Sequence, residues 1–228
     1  MRKYHKIYNV FNRKMSGDHH LIPWDWKTPE FEQLRDIPWE WTEKVNGTNI
    51  RIGWGGRRVK FGGRTDKANI PSMIREHLEA TYTRDKLSSI FAVEGEEAPE
   101  VTLFGEGVGP KIQSGGAYGE TRVILFDVNI GGIWLKREAL EAIADSLEVD
   151  CVPSLGLMTM GEAIHYASSE RMSGCAVEPK AAEGIVGTPV PGLLDRMGRR
   201  VVVKLKTSDL EPLELSRQSI ASACRLRV

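Results

Sequence analysis

The 228-residue chain carries 31 basic and 31 acidic side chains, and this zero formal charge disfavours a general polyanion binder while leaving local basic patches open. Hydrophobic residues make up 41% and charged residues 27%, which is ordinary for a globular protein and excludes disorder, collagen-like repeats and a coiled coil. No apolar run approaches the roughly 20 residues of a membrane span, and the three widely spaced cysteines form no CxxC pair, so neither a disulfide framework nor a zinc site is expected.

The first 40 residues are rich in tryptophan and proline, and they predict an irregular, packed lead-in. Residues 49–54 alternate between apolar and other side chains, two glycines follow, and residues 58–63 form a second run, which together indicate a hairpin. A second hairpin is predicted around glycines 131 and 132. Further strands are predicted at residues 101–107, 183–188 and 199–206.

Helices are predicted between these strands. Residues 137–147 place apolar side chains at the i, i+3, i+4 and i+7 spacing of a helix, and Thr159 with Glu162 matches a capping box before a helix that reaches about residue 168. Residues 72–80 and 84–91 form a weaker helical pair. This order predicts an α+β fold of mainly antiparallel sheets with flanking helices. Because no internal linker is visible, we expect a single domain over residues 1–228, with residues 1–40 as its lead-in.

Lys44 is the first candidate for chemistry, because it enters a glycine turn (Lys44-Val45-Asn46-Gly47) and the chain leaves that turn as a strand. A lysine attacks only as the neutral amine, which burial or a neighbouring cation favours. No GxxxxGK[ST] loop or GxGxxG turn is present, so a bound nucleotide would not be held by a phosphate loop or a Rossmann turn.

The strand at residues 199–206 supplies two further cations. Its period of two places Val203 and Leu205 on one face and Lys204 and Lys206 on the other. Two interpretations stay open. In the first, the strand lies at a sheet edge, where its lysines prevent aggregation. In the second, the two lysines bind a phosphate and activate Lys44.

Two glutamates lie on predicted strands beside glycine, where a ligand approaches closely. They are Glu106 in the stretch LFGEGVG and Glu183 in AEGIVGTP. Either one is a candidate ligand for Mg²⁺, which takes carboxylate and phosphate oxygens together. The alternative is an exposed carboxylate at the end of a strand.

The ordered motifs K-x-x-G, GRT, FGE, FDV, EGIV and KLK resemble those of ATP-dependent polynucleotide ligases, and most closely the RNA ligase 2 type, including small phage-borne members. The resemblance extends from about residue 6 to residue 209. It implies a nucleotidyltransferase domain, an ATP-grasp-like ligase adenylation domain. It also implies an ATP-dependent RNA ligase that joins 5′-phosphate and 3′-hydroxyl ends.

The resemblance implies roles at the reacting phosphates for four residues. Lys44 would be the nucleophile that takes AMP as a lysyl phosphoramidate. Lys204 and Lys206 would hold the α-phosphate, and Glu183 would engage a metal, Mg²⁺ or Mn²⁺.

The same resemblance implies nucleotide-binding roles for five others. Glu43 would lie beside the adenine and Asn49 near the reacting phosphates. Arg64 would contact the ribose or the 5′-phosphate of the nucleic acid. Glu106 would bind a ribose hydroxyl, and Phe126 would stack on the adenine.

The implied partners are ATP and RNA, with RNA/DNA duplex ends also open, in a cytoplasmic RNA-repair setting that is the host cytoplasm if a phage encodes the chain. No membrane and no obligate protein partner are implied. Only 22 residues follow Lys206, too few for the barrel or helical C-terminal domain of larger ligases, so N-terminal cations and tryptophans are candidates for holding RNA. Those tryptophans more often form core.

One residue departs from the family pattern. Asn46 stands where an aspartate is commonest, and this difference favours RNA over DNA as the substrate. A minimal DNA ligase, a guanylyltransferase and a non-catalytic nucleotide-binding or nucleic-acid-binding module descended from a ligase remain the alternatives.

Overall fold

The computed structural model describes residues 1–113 and 115–210, so Cys224 lies outside the described part. The chain packs into two compact units. Unit 1 contains residues 1–4, 46–152 and 175–178; unit 2 contains residues 5–45, 153–174 and the described residues from 179 onward. One adenylation domain over residues 1–228 stays a prediction. Within the described residues, no helix combines the length and the apolar character that crossing a membrane requires.

The strands, in chain order, are β1 (Tyr8–Asn9), β2 (Phe11–Arg13), β3 (Leu21–Trp26), β4 (Trp39–Glu43), β5 (Thr48–Trp54), β6 (Val59–Gly62), β7 (Val101–Val108), β8 (Arg122–Ile130), β9 (Ile133–Trp134), β10 (Ser154–Met158), β11 (Gly184–Pro189) and β12 (Val203–Lys206). The α-helices are α1 (Pro29–Gln33), α2 (Ser72–Thr81), α3 (Arg84–Phe91), α4 (Arg137–Leu147), α5 (Met160–Ala167) and α6 (Thr207–Leu210). A short 3₁₀ turn spans Gly115–Tyr118.

Unit 1 is built on a five-stranded antiparallel sheet in the order β6-β5-β7-β8-β9. One face packs with α2, α3 and α4 into a core that includes Ile50, Ile52 and Leu103. The other face carries polar residues that are nevertheless buried, because the first four residues of the chain cover it. The Arg2 N–H donates to Thr102 Oγ1 at 3.1 Å, and the Tyr4 hydroxyl donates to Asp127 Oδ2 at 2.8 Å.

Unit 2 is built on a second five-stranded sheet in the order β1-β12-β11-β4-β10, with a separate β2–β3 ribbon. Its pairings are antiparallel except for β1, which runs parallel to β12. Trp39 and Trp41 on β4 are fully buried in its core. Trp24 and Trp26 on β3 pack against that core, and this supports the interpretation of the N-terminal tryptophans as core residues.

The α+β class with mainly antiparallel sheets is confirmed. The hairpin at residues 131 and 132 is also confirmed: Ile130 pairs with Ile133, and both glycines have positive φ, as a two-residue turn of type I′ requires. Helix α5 begins with the predicted capping box of Thr159 and Glu162.

The expectation of an irregular lead-in is wrong, because residues 8–33 contain β1, β2, β3 and α1. These strands are only two to six residues long and do not alternate cleanly, so no period-two pattern marks them. Strand β10 was not predicted either, because its residues are mostly exposed and form no apolar pattern. The edge-strand interpretation of Lys204 and Lys206 is likewise wrong, since β12 lies between β1 and β11.

Candidate active site

Three of the predicted catalytic and metal-binding side chains meet in unit 2. The Lys44 ammonium donates to Glu183 Oε2 at 2.5 Å, and the Lys206 ammonium lies 2.5 Å from the other carboxylate oxygen, Oε1. The three side chains are partly buried, with relative exposures of 24% for Lys44, 16% for Glu183 and 32% for Lys206. Lys44 is therefore held beside one of the predicted cations.

The backbone of three adjacent strands brings these residues together. Lys44 follows β4 directly, and its N–H donates to the carbonyl of Gly184, the first residue of β11, at 2.9 Å. Gly184 pairs with Lys206 on β12. Gly184 has φ +152°, and a Cβ there would lie 2.0 Å from the carbonyl oxygen of Leu205. Only glycine allows this close approach, which sets Glu183 beside the lysine strand.

The cluster carries more positive than negative charge. Lys204 projects from the same face of β12 as Lys206, and burial lowers the pKa of Lys204, with repulsion from Lys206 and Lys44 lowering it further. Burial alone would raise the pKa of Glu183, but hydrogen bonds from Lys206 and Lys44 outweigh burial and hold that pKa below its usual value. Three lysines around one carboxylate leave an excess of positive charge that suits a phosphate.

Glu43, the fifth predicted residue in unit 2, is 5% exposed at the end of β4. One of its oxygens accepts a hydrogen bond from the Ser173 hydroxyl, and the other accepts one from the Gly174 N–H at 2.7 Å. Glu43 therefore fixes the loop at residues 173–174. Its contact with adenine stays a prediction.

Unit 1 holds the other predicted nucleotide-binding residues. Asn49 on β5 pairs directly with Glu106 on β7, so the two side chains share one face of the sheet. The Oδ1 atom of Asn49 is buried and has no hydrogen-bond partner among the described residues, so it can still accept a hydrogen bond from water or a ligand. Gly47 precedes β5, and a Cβ there would lie 2.3 Å from the carbonyl oxygen of Gly107. The turn after Lys44 therefore needs glycine at this position.

Phe126 occupies an irregularity in the pairing of β7 with β8. Phe104 pairs with Asp127 and Gly105 pairs with Leu125, so Phe126 is the extra residue of a β-bulge. A bulge re-aims the side chain at its position. The Phe126 ring is partly exposed and lies edge-to-face with Tyr4, with ring centroids 5.2 Å apart. An aromatic ring set in this way is available for stacking.

Arg64 is exposed in the loop after β6. Arg51, which belongs to none of the predicted motifs, contacts two residues of that loop. Arg51 is fully buried on β5. Its Nε donates to the Gly63 carbonyl at 2.7 Å, and its Nη2 donates to Asp66 Oδ1 at 2.9 Å. An arginine in the middle of an otherwise uncharged strand was the available signal. Its burial depends on distant residues 1–4 and could not be read from the strand.

Asn46, which stands where the family pattern most often has aspartate, lies in unit 1. Its backbone N–H donates to the Tyr118 hydroxyl at 3.2 Å, and Tyr118 is fully buried. This bond fixes the turn after Lys44 through the backbone, which any residue at position 46 except proline provides.

Glu183 is the predicted metal ligand. Among residues 1–113 and 115–210, no group of three or more His, Cys, Asp or Glu side chains is arranged to hold a metal ion. A single carboxylate is compatible with Mg²⁺ or Mn²⁺ bound together with a nucleotide, since Mg²⁺ keeps several waters and is held by one or two carboxylates plus substrate phosphates. The donor set therefore fits an ion that arrives with ATP better than a resident ion.

Comparisons with known proteins bear on the family and the fold. The family model described as "RNA ligase" matches residues 37–206. No curated protein sequence matches the chain. Among solved structures, the RNA ligase of Naegleria gruberi with pyrophosphate superimposes with a TM-score of 0.61 at 16% identity, covering 82% of this chain and 54% of that one. A variant of the same ligase with ATP and Mn gives 0.60 at 15% identity, covering 93% and 61%. A variant with AMP and Mn was also matched, with a TM-score of 0.59 at 16% identity. The chain thus spans between half and two thirds of the length of these structures.

Proposed function

We propose that this chain, which belongs to the RNA ligase family, is an ATP-dependent RNA ligase. It would join 5′-phosphate and 3′-hydroxyl ends through an AMP carried on Lys44. The observation that carries the proposal is the cluster in which the amines of Lys44 and Lys206 bind the two oxygens of Glu183. Lys204 adds a third amine, and the positive charges of Lys44 and Lys206 act on it. This arrangement joins a nucleophile to fixed cations, which phosphoryl transfer requires.

In the first step, the Lys44 nitrogen forms a bond to the α-phosphorus of ATP, and the bond from that phosphorus to pyrophosphate breaks. Lys44 attacks as the neutral amine, so it must first lose a proton. The Glu183 carboxylate, 2.5 Å away, holds this amine in place. Lys204 and Lys206 stabilise the negative charge that develops on the phosphate oxygens.

The second step frees Lys44, and the third step joins the two RNA ends. An oxygen of the RNA 5′-phosphate attacks the phosphorus of the lysyl-AMP, the nitrogen–phosphorus bond breaks, and a 5′-to-5′ pyrophosphate forms. The 3′-hydroxyl of the second end then attacks the RNA phosphate and expels AMP. The same cations serve all three steps, because charge develops on phosphate oxygens in each.

ATP and a divalent ion are proposed as the cofactors, and the Naegleria structures with ATP or AMP and Mn support this choice. Glu183 would hold the ion together with phosphate oxygens, and the ion would supply additional neutralisation of phosphate charge. Asn49 and Glu106 would contact the phosphates and the ribose. Phe126 would stack on the adenine, and Glu43 would lie beside it.

The test is covalent labelling. The protein is incubated with ATP labelled at the α-phosphate and Mg²⁺ or Mn²⁺, and the label is followed on a denaturing gel and mapped by mass spectrometry. We expect one AMP on Lys44 in the wild type and in Lys86→Ala, a surface variant in unit 1, and no label in Lys44→Ala or Lys44→Arg. A wild-type protein that binds ATP but takes no label would instead support a non-catalytic module.

Two alternative enzyme activities can be distinguished from RNA ligation by the substrate that the protein uses. Labelling with GTP in place of ATP would indicate a guanylyltransferase. Sealing of DNA nicks as fast as RNA nicks in matched duplexes would indicate a minimal DNA ligase. We expect the RNA nick to be preferred.

A further inference from the structure

Unit 2 contains a cleft of about 690 Å³ to which the ligase motifs contribute only Lys204. Its walls come from β1, β2, β3 and the segments around them, all N-terminal to the residues matched by the family model, and from Lys204 on β12. A second cleft of about 450 Å³ shares Lys6, Tyr8 and Lys27 with the first and continues along residues 195–202. The two clefts therefore adjoin one another and lead to Lys204. We call them together the N-terminal cleft.

The first of these clefts is strongly basic, although the whole chain has no net charge. Five cationic side chains and one carboxylate, Asp25, line it. The cations are Lys6, Arg13, Lys14, Lys27 and Lys204. A concave surface of one sign concentrates counter-ions of the opposite sign, so this cleft selects for an anionic ligand.

The cations differ in how far other groups neutralise them. Arg13 is paired with Asp209 at 2.5 Å, and Lys14 lies 3.5 Å from Asp18. In contrast, Lys27 donates to the uncharged amide oxygen of Asn12 at 3.0 Å, and the Lys6 ammonium lies over the Tyr8 ring, 5.2 Å from its centroid. No carboxylate forms an ion pair with Lys6 or Lys27 within the described part of the chain, and both side chains are exposed.

The position of these two lysines limits which anion the cleft can bind. We infer that the N-terminal cleft binds the sugar–phosphate backbone of the single-stranded RNA whose 5′-phosphate is activated at Lys44. This inference rests on the proposed function, because the 5′-phosphate must reach Lys44 and Lys204, and the cleft is continuous with Lys204. The strand next to that phosphate then follows the cleft past Lys6 and Lys27.

The contacts in the cleft suit phosphates rather than bases. Trp24 and Trp26 pack against the core of unit 2, and the Tyr8 ring already faces Lys6, so these rings do not form a stacking platform for bases. Lysine side chains that contact phosphates hold a strand in position without reading its sequence. We therefore expect affinity that depends strongly on salt and little on sequence.

The experiment removes the two unneutralised charges and keeps an amide in place of each. Binding of a 5′-phosphorylated single-stranded RNA oligomer, in two unrelated sequences, is measured by fluorescence anisotropy without ATP at several salt concentrations. The variant is Lys6→Gln with Lys27→Gln. The control is Lys86→Gln with Lys136→Gln, which removes the same charge from unit 1. Circular dichroism checks that both variants fold.

At low salt we expect the Lys6/Lys27 variant to bind both sequences about tenfold more weakly than the wild type. The slope of log affinity against log salt should fall by about 1.4, because each phosphate contact on a single strand contributes about 0.7. The control should change affinity less than about twofold. Equal losses in both variants, or no loss in the Lys6/Lys27 variant, would overturn the inference. So would polyglutamate of matched charge competing as well as RNA.

This result is separable from the test of the proposed function. RNA binding is measured without ATP and does not require Lys44 to react. The wild type could take no label from ATP while the Lys6/Lys27 variant still binds RNA more weakly. That outcome would count against ligation and in favour of the RNA-binding cleft.

Discussion

The two units hold their candidate functional side chains by different means. In unit 2, charged groups position one another, since Lys44 and Lys206 each bind one oxygen of Glu183. In unit 1, the backbone and a buried arginine set the positions: Phe126 stands at a β-bulge, and Arg51 holds the loop of Arg64. We therefore expect charge changes in unit 2 to alter the proposed reaction at phosphorus, and changes in unit 1 to alter stability and nucleotide affinity.

The largest expected effect comes from removing a fixed cation in unit 2. Lys206→Ala should slow the labelling of Lys44 by ATP by about 10²–10³-fold, because one preorganised positive group no longer stabilises the charge that develops on phosphate. Single-turnover labelling over a range of ATP concentrations separates rate from affinity. Lys206→Arg, which keeps the charge, should recover part of the rate. A loss confined to the KM for ATP would contradict the division between the units.

The next effect tests the contacts by which Arg51 holds the loop of Arg64 in unit 1. Arg51→Met should lower the free energy of unfolding by about 1–3 kcal/mol, because the Gly63 carbonyl loses its donor in a buried setting. Denaturant unfolding measures this change. Asp66→Asn keeps the bond to Gly63 and serves as the matched variant, with a smaller loss expected because Asp66 is exposed. Equal losses in the two variants would show that the ion pair, and not the bond to Gly63, holds the loop.

A smaller effect is expected at the bulge. Phe126→Ala should raise the KM for ATP about tenfold, because stacking on a base is worth about 1–3 kcal/mol, while the maximal labelling rate should change less. Phe126→Tyr retains a ring and should restore the affinity. If Phe126→Ala lowers the maximal rate and leaves the KM unchanged, Phe126 acts on the reaction and the comparison of the units fails.

The smallest effect is a dependence of stability on pH. The pKa of Glu183 is lowered in the folded state from an ordinary value of 4.5, so its contribution is fully present above about pH 4.5 and is lost as the pH falls through the folded pKa. The free energy of unfolding of the wild type should exceed that of Glu183→Gln by about 1 kcal/mol at neutral pH. The gap should narrow as the pH falls below about 4.5, as measured by urea unfolding from pH 7 to pH 3. A gap that stays constant over this range would mean that packing, and not charge, accounts for it.

The sequence predicts best where the pattern is local. The strands of unit 1, the turn at residues 131 and 132, and helices α4 and α5 follow from alternation, paired glycines, helical spacing and a capping box. Motif order also selected Lys44, Glu183 and Lys206, and all three meet in unit 2.

What the sequence could not predict depends on contacts between distant residues. Arg51 looks like a solvent-facing residue of an alternating strand, but residues 1–4 cover that face of the sheet. The interior position of β12 depends on its pairing with β1, about 195 residues earlier in the chain. The bulge at Phe126 appears only when β7 and β8 are aligned.

The cluster of Lys44, Glu183 and Lys206 joins parts of the chain that the ribosome synthesises far apart in time. Unit 1 is almost entirely one continuous stretch, residues 46–152, whereas unit 2 draws on segments before and after it. Lys44 emerges early, but its partner Glu183 is translated 139 residues later. A nascent chain therefore presents Lys44 long before Glu183 and the lysines of β12, and such distant pairings form slowly. We expect the proposed transfer of AMP to Lys44 to become possible only late, after residue 206 has left the exit tunnel.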